Sequence, residues 1–171
     1  MNIALFADVG NLYYCVGKRF EGGKPNYAKL DYAKLYAIAA SFGTLSRAFA
    51  YGSQVSDEAI NFINCLKKLG YDPKYKCPKT VESEGNKIVR KSNWNVGIAM
   101  DVVRMIEHKR VDVVILASAD ADLVPLVQWV KDHGVRCIVL ACGISRELKD
   151  AADQFIEIGE EYLEAPKTTA A

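Results

Sequence analysis

Apolar positions fall in short runs separated by longer amphipathic stretches. Residues 2–7 (NIALFA), 111–117 (VDVVILA) and 135–141 (VRCIVLA) are mainly aliphatic and β-branched, 45–51 (LSRAFAY) is a further largely apolar run, and 72–77 is a more polar one. Runs that are apolar throughout, rather than alternating, predict strands covered on both faces. The intervening segments predict helices over 27–42, 56–69, 93–108, 121–133 and 145–152. Gly43, Gly70 and Gly134 stand where three of these helices would stop, and Ser56 where one would be capped. Residues 154–158 predict a last edge strand. Strand and helix in alternation predict an α/β fold with a doubly wound, mainly parallel sheet of five or six strands and right-handed crossovers. Two stretches break the pattern. Residues 17–26 (GKRFEGGKPN) predict a flexible basic loop, and 79–92 a small hairpin or flap turning at Glu84-Gly85-Asn86.

The chain has 171 residues, enough for one core without staples, and no linker divides it. One domain over 1–163 is expected, with a frayed tail over 164–171 that contains Pro166. A formal net charge of +1, from 22 basic and 21 acidic residues, excludes a protein that coats nucleic acid by bulk electrostatics. It leaves room for a basic rim around an acidic centre. Cys15, Cys65, Cys77, Cys137 and Cys142 are odd in number and lack CxxC spacing, so reduced thiols are expected. With His108 and His133 the only imidazoles, a zinc centre is not supported. The first apolar run ends at Asp8, too short for a leader, and nothing approaches the ~20 apolar residues of a membrane span. A cytoplasmic protein is the expectation.

In open parallel sheets, ligands bind beyond the carboxyl ends of the strands. There the first strand runs into Asp8-Val9-Gly10-Asn11, and the 111–117 strand into Ser118-Ala119-Asp120-Ala121-Asp122. If the two strands are neighbours, Asp8, Asp120 and Asp122 meet at one edge. Three close carboxylates repel unless a cation neutralises them or protons stay bound. Oxygen donors select Mg²⁺ or Mn²⁺, the ions of assisted phosphodiester hydrolysis. Each residue also has a plainer reading. Asp120 can cap the helix that follows, Asp8 can be a turn residue, and Asn11 can hold its loop by hydrogen bonds. No Gly-x-Gly-x-x-Gly run or Gly-Lys-Ser/Thr phosphate loop occurs, and no second acid stands two residues after Asp8, which disfavours a nucleotide-binding protein or an aspartyl-phosphate phosphatase.

At these residues the sequence resembles the NYN family, in the LabA-like (DUF88) branch of PIN-like nucleases. Asp8-Val9-Gly10-Asn11 resembles the family's D-x-x-N opening. The run Ser118-Ala119-Asp120-Ala121-Asp122-Leu123-Val124-Pro125-Leu126 looks like its S-G-D-x-D-F-x-P-L signature, and 95–101 (NVGIAMD) is similar to D-V-x-L-A-x-D. The resemblance covers roughly residues 2–158. It implies a Rossmann-like, three-layer PIN/NYN fold and metal-dependent hydrolysis of single-stranded or structured RNA. Asp8, Asp120 and Asp122 would hold the metal, Asn11 and Ser118 would orient them, and Asp101 matches the family's second helical acid; six helical residues turn it about 240° from Asn95, so its plainer reading is a buried hydrogen-bonding residue. Asn95 stands where the family usually carries an acid, Ala119 replaces a glycine and Leu123 a phenylalanine. The missing acid at Asn95 motivates an alternative, a weakened or inactive RNA-binding regulatory module. RNA would need cations and stacking platforms at the same edge. Lys18, Arg19, Lys24, Lys87, Arg90, Lys91 and Arg146 are candidates for phosphate contacts, and Tyr13, Tyr14 and Trp94 for bases. The plainer readings are solvated surface charge, and for the tyrosines core packing or a loop anchor. A homo-oligomer is compatible with the sequence.

Overall fold

The structure, a computed structural model, describes residues 1–20, 29–53, 57–76, 79–83, 87–91, 93–143 and 146–164. In chain order it contains β1 (Asn2–Asp8), α1 (Val9–Phe20), α2 (Tyr32–Ala40), β2 (Thr44–Ser53), α3 (Asp57–Lys68), β3 (Asp72–Lys76), β4 (Lys79–Ser83) and β5 (Lys87–Lys91). There follow α4 (Asn95–Glu107), β6 (Val113–Ala117), a 3-10 turn (Ala121–Leu123), α5 (Val124–Asp132), β7 (Arg136–Ala141), α6 (Arg146–Ala151), β8 (Gln154–Glu157) and a 3-10 turn (Glu160–Tyr162). Six strands form one sheet in the order β3-β2-β1-β6-β7-β8, every pairing parallel. The expected fold class is therefore observed. Strands β4 and β5 form the separate antiparallel hairpin that the sequence suggested; its turn at 84–86 lies outside the described residues.

Alternate residues of β1 feed two cores, as a strand's two-residue period requires. Ile3, Leu5 and Ala7 face α1 and α2 through Leu12, Val16, Leu35 and Ala39. Ala4 and Phe6 face α4 and α5 through Ile98, Val102, Val127 and Val130. A sheet covered on both faces explains why β1, β6 and β7 read as unbroken apolar runs.

Several boundaries differ from those expected. Residues 9–20 form a helix where none was predicted, and 17–20 are its last turn rather than part of a loop; 21–26, with Lys24, lie outside the described residues. Gly10 and Gly17 dilute its helical signal, yet Leu12 and Val16 are buried one turn apart. Helix α2 begins at Tyr32 rather than 27, because the Asp31 carboxylate accepts the Ala33 and Lys34 N–H groups at 2.9 and 3.2 Å. The 121–133 segment splits into a 3-10 turn and α5, with Pro125 in the first turn of α5. Ser56, the expected cap of α3, lies outside the described residues. Glu164, expected to fray, instead donates its N–H to the Lys29 carbonyl at 2.8 Å, beside a Leu30–Leu163 bridge.

Ile115 is fully buried in the middle of β6, in register with Leu5 and Ile138. Replacing Ile115 by alanine leaves a cavity and is expected to cost about 2–5 kcal/mol in urea unfolding. Tyr14→Ser, at a residue 67% exposed, is expected to stay within ~0.5 kcal/mol of the parent.

Candidate active site at the sheet's carboxyl edge

Strand order runs 3-2-1 on one side of the sheet and 6-7-8 on the other, so the topological switch lies between β1 and β6. Ala7 is in register with Ala117, and the two strands therefore leave the sheet side by side, ~4.8 Å apart. One emerges as Asp8, the other as Ser118.

Asn11 joins these two exits. Its N–H donates to Asp8 Oδ1 at 3.1 Å, and its side-chain Oδ1 accepts the Ala119 N–H at 2.8 Å. Cys15, one helical turn on, also points its Sγ at that oxygen, at 3.6 Å. Ser118 is buried, and its Oγ accepts the Asp120 N–H at 3.2 Å. Asp120 caps the 3-10 turn, its Oδ1 accepting from Asp122 N at 3.0 Å. Its other oxygen, Oδ2, accepts from Asn95 Nδ2 at 2.9 Å. Asn95 opens α4, and its own N–H is held by the Asn93 side-chain oxygen at 2.7 Å. Three distant segments thus converge on one edge, and the plainer reading of Asp120 as a cap also holds.

Asp8 is only 8% exposed. Burial pushes its carboxyl above the usual carboxylate range; the Asn11 N–H pulls the other way, and the negative charge of Asp120 adds to the upward push. The cost of ionising Asp8 is carried by the folded state. The expected cluster of three carboxylates is not formed. Among the described residues, no group of three or more His, Cys, Asp and Glu side chains comes together as a metal cage. Asp122 is an exposed residue that enters the network by its backbone N–H. The Asp8–Asp120 pair still fits Mg²⁺ or Mn²⁺ in kind, since both offer hard oxygen donors. Mg²⁺ is commonly held by one or two carboxylates with water and substrate phosphate completing the shell.

Asp101, expected with the catalytic group, belongs to a different network. It is buried on α4, where its Oδ2 accepts from Tyr51 Oη at 2.9 Å and from Lys74 Nζ at 2.6 Å; Arg104 stands 3.5 Å from Oδ1. Burial, then the Asp101 charge, pushes the Tyr51 phenol well up, so Tyr51 is a donor here. Tyr51 and Lys74 were missed from sequence. The available signal was Tyr51 ending an apolar strand level with Asp8, to which it is paired in register.

The expected nucleic-acid contacts divide. Lys18, Tyr13 and Tyr14 are exposed on α1, the helix that begins beside Asp8. Arg19 is tied to Glu157 on β8, and Arg146 is exposed, 3.5 Å from Asp150. Trp94 is an anchor rather than an open platform: its Nε1 donates to the Gly52 carbonyl at 2.8 Å, and its ring packs on Tyr51 and under Lys76. A Cβ on Gly97 would stand 2.6 Å from that ring, so the glycine admits the tryptophan. Lys87, Arg90 and Lys91 lie on β5, and their side chains are outside the described ones. Burial pushes the Cys142 thiol up to about 11 and also raises Cys15, so neither is poised as a nucleophile.

Comparison with known proteins places the chain in a family and agrees with the fold. A family model described as the NYN domain matches residues 2–159. The chain is 24% identical over 135 residues to an uncharacterised protein of Methanocaldococcus jannaschii, covering 78% of this chain and half of that protein's length. It is 25% identical over 163 residues to the Low amplitude and bright protein LabA of Synechococcus elongatus, covering 92% of this chain and 84% of that one. A crystal structure of a protein of unknown function from Vibrio parahaemolyticus matches with a TM-score of 0.79 and 26% identity, over 95% of this chain and 96% of that chain. Among the described residues, no helix is long and apolar enough to cross a membrane.

The raised pKa of Asp8 has a sign that can be checked. A native carboxyl that holds its proton more tightly than the unfolded one loses stability as pH rises through its titration range. Asp8→Asn, neutral at every pH and still able to accept the Asn11 N–H, is expected to melt higher than the parent at pH 7–8 in metal-free buffer. A gain of ~1 kcal/mol corresponds to about 2–4 °C in a chain of this size. Melting curves at acidic pH, below the ordinary aspartate range of about 3.9, should show the gain vanish.

Proposed function

Because the chain belongs to the NYN domain family, a family of PIN-like nuclease folds, we propose that it is a Mg²⁺- or Mn²⁺-dependent endoribonuclease acting at the Asp8–Asp120 pair. The observation that carries this reading is the convergence of a buried Asp8 with Asp120 at the topological switch of the sheet. Asp8 and Asp120 would hold the ion, with exposed Asp122 on the rim. Lewis acidity toward the phosphodiester, and a lower pKa for water, are what such an ion supplies.

The chain's own groups set the geometry. Asn11 fixes the Asp8 exit against the Ala119 backbone, and Ser118 holds Asp120 through its N–H. Asn95 donates to Asp120 Oδ2, which orients the carboxylate. Lys18 offers a charge to a phosphate near the site, while Tyr13 and Tyr14 offer exposed rings to unstacked bases. The domain would span 1–163. Reduced thiols and an RNA substrate suit a cytoplasmic setting.

Asn95 also favours a second reading, a module that binds RNA and cuts it slowly or not at all. An amide brings no negative charge and cannot take a proton from water as an acid at that position would. One set of assays separates the two readings. Single-stranded RNA should be cleaved with Mn²⁺ and spared with EDTA. Asp8→Asn and Asp120→Asn should each lose more than the roughly 10–100-fold typical of removing a supporting hydrogen-bond partner. Metal-independent cleavage, or full activity in both variants, contradicts the nuclease reading. If the parent binds RNA without turnover and Asn95→Asp confers cleavage, the second reading stands.

A further inference from the structure

We propose that the RNA strand runs from the Asp8–Asp120 site down the exposed face of α4 to a phosphate-binding pocket built by Arg47, Arg104 and Arg110 near the opposite edge of the sheet. The inference rests on the nucleic-acid reading of the site and extends it to a second contact point.

Helix α4 provides the path. Asn95, at its head, touches Asp120. From there Val96, Met100 and Arg104 follow one another at four-residue spacing, which places them on one side of the helix. Val96 is 77% and Met100 48% exposed, an apolar stripe on a helix whose other side is packed into the core. Sequence-independent contact with bases or sugars is what such a stripe offers. At ~1.5 Å per residue, Arg104 lies ~14 Å along the axis from Asn95.

The stripe ends at a cavity of about 280 Å³ between β2, the start of β3 and the C-terminal half of α4. Arg47, Arg104, Arg110 and His108 bring the basic groups, Asp72 and Asp101 the acids, and Phe49 and Met105 line it as buried apolar residues. The acids do not balance the arginines. Asp101 is already matched by Lys74 at 2.6 Å and is shared with Arg104 at 3.5 Å. That leaves Asp72 facing Arg47 and Arg110, for neither of which an acid lies within ion-pair distance among the described residues. Guanidinium groups gathered from two elements and a loop are suited to a phosphate through forked hydrogen bonds.

Register gives the same spacing independently of the helix. Arg47 pairs with Ala4 and Tyr51 with Asp8, so Arg47 lies four residues down β2 from the level of the catalytic aspartate. That is ~13 Å at 3.3 Å per residue. Alternation puts Arg47 on the same face of the sheet as Phe49 and Tyr51, the face that α4 covers. At ~3.4 Å per stacked step, ~13–14 Å takes about four steps and so about five nucleotides. An RNA of four nucleotides held at the aspartates therefore falls short of the pocket, and one of twelve reaches it.

The test is fluorescence anisotropy with Ca²⁺ in place of Mg²⁺ to fill the oxygen site while slowing hydrolysis, with labelled single-stranded RNAs of four and twelve nucleotides and the whole chain as parent, Arg47→Ala, Arg110→Ala and the double variant. Both arginines are exposed, and melting curves check that the variants fold. The expected result is weaker binding of the twelve-mer by about tenfold or more in the double variant, with the four-mer unchanged. The slope of log K against log salt should also fall by about 0.7 for each arginine removed. Unchanged twelve-mer binding overturns the track while leaving the aspartate site untouched. Equal loss for both lengths overturns it as well, because the arginines would then act at the site itself. No binding of either RNA contradicts this inference together with the nucleic-acid reading beneath it. A mononucleotide or inorganic phosphate that binds through Arg47 and Arg110, while the twelve-mer ignores them, assigns the pocket to a free phosphate ligand and overturns the strand path.

Discussion

Between β1 and β6 the sheet changes its direction of growth, and the Ala7–Ala117 register there sets Asp8 beside the Ser118–Asp120 turn. Residues more than a hundred positions apart become neighbours through backbone pairing alone. The pairing is secured by fully buried residues on both faces, Leu5 and Ile115 on one, Phe6 and Leu116 on the other. Hydrophobic burial therefore holds together two acidic loops that electrostatics would separate. Asn11 completes the arrangement with one hydrogen bond to each loop.

The carboxyl edge is costly for the folded chain. Asp8 sits in a buried position with a second carboxylate near it, and its raised pKa reflects that cost. Perturbed carboxyls of this kind cluster at functional sites. Two features keep the cost down. Asn95 meets Asp120 with an amide N–H, where an acid would add a further negative charge. Asp101, about 1.7 turns further along α4, is removed from the site by Tyr51 and Lys74. The same helix thus carries a neutral group at the site and a neutralised acid below it.

The fold was largely legible because unbroken apolar runs separated by glycine-stopped helices leave few alternatives to a doubly wound sheet. Asp8, Asn11, Ser118 and Asp120 were legible for a related reason: parallel strands open at their carboxyl ends, so the residue after each apolar run is marked. The first helix escaped because Gly10 and Gly17 weaken its local signal, while its stability comes from Leu12 and Val16 packing on the sheet. Asp122 and Asp101 were grouped with the site on pattern. Pattern does not show which way a capped turn spends its side chains, or that Lys74 arrives from β3 to claim Asp101. Trp94 was read as a stacking platform because a tryptophan beside a polar loop gives no sign of the Gly52 carbonyl or of the space above Gly97.

Calorimetric titration of Mn²⁺ into the metal-free chain asks, without reference to any substrate, whether Asp8 and Asp120 share a divalent cation. A saturable site is expected in the parent, lost in Asp8→Asn and in Asp120→Asn and kept in Asp101→Asn. Mn²⁺ binding that survives both of the first two substitutions, or that depends on Asp101 instead, would contradict a cation shared by the pair.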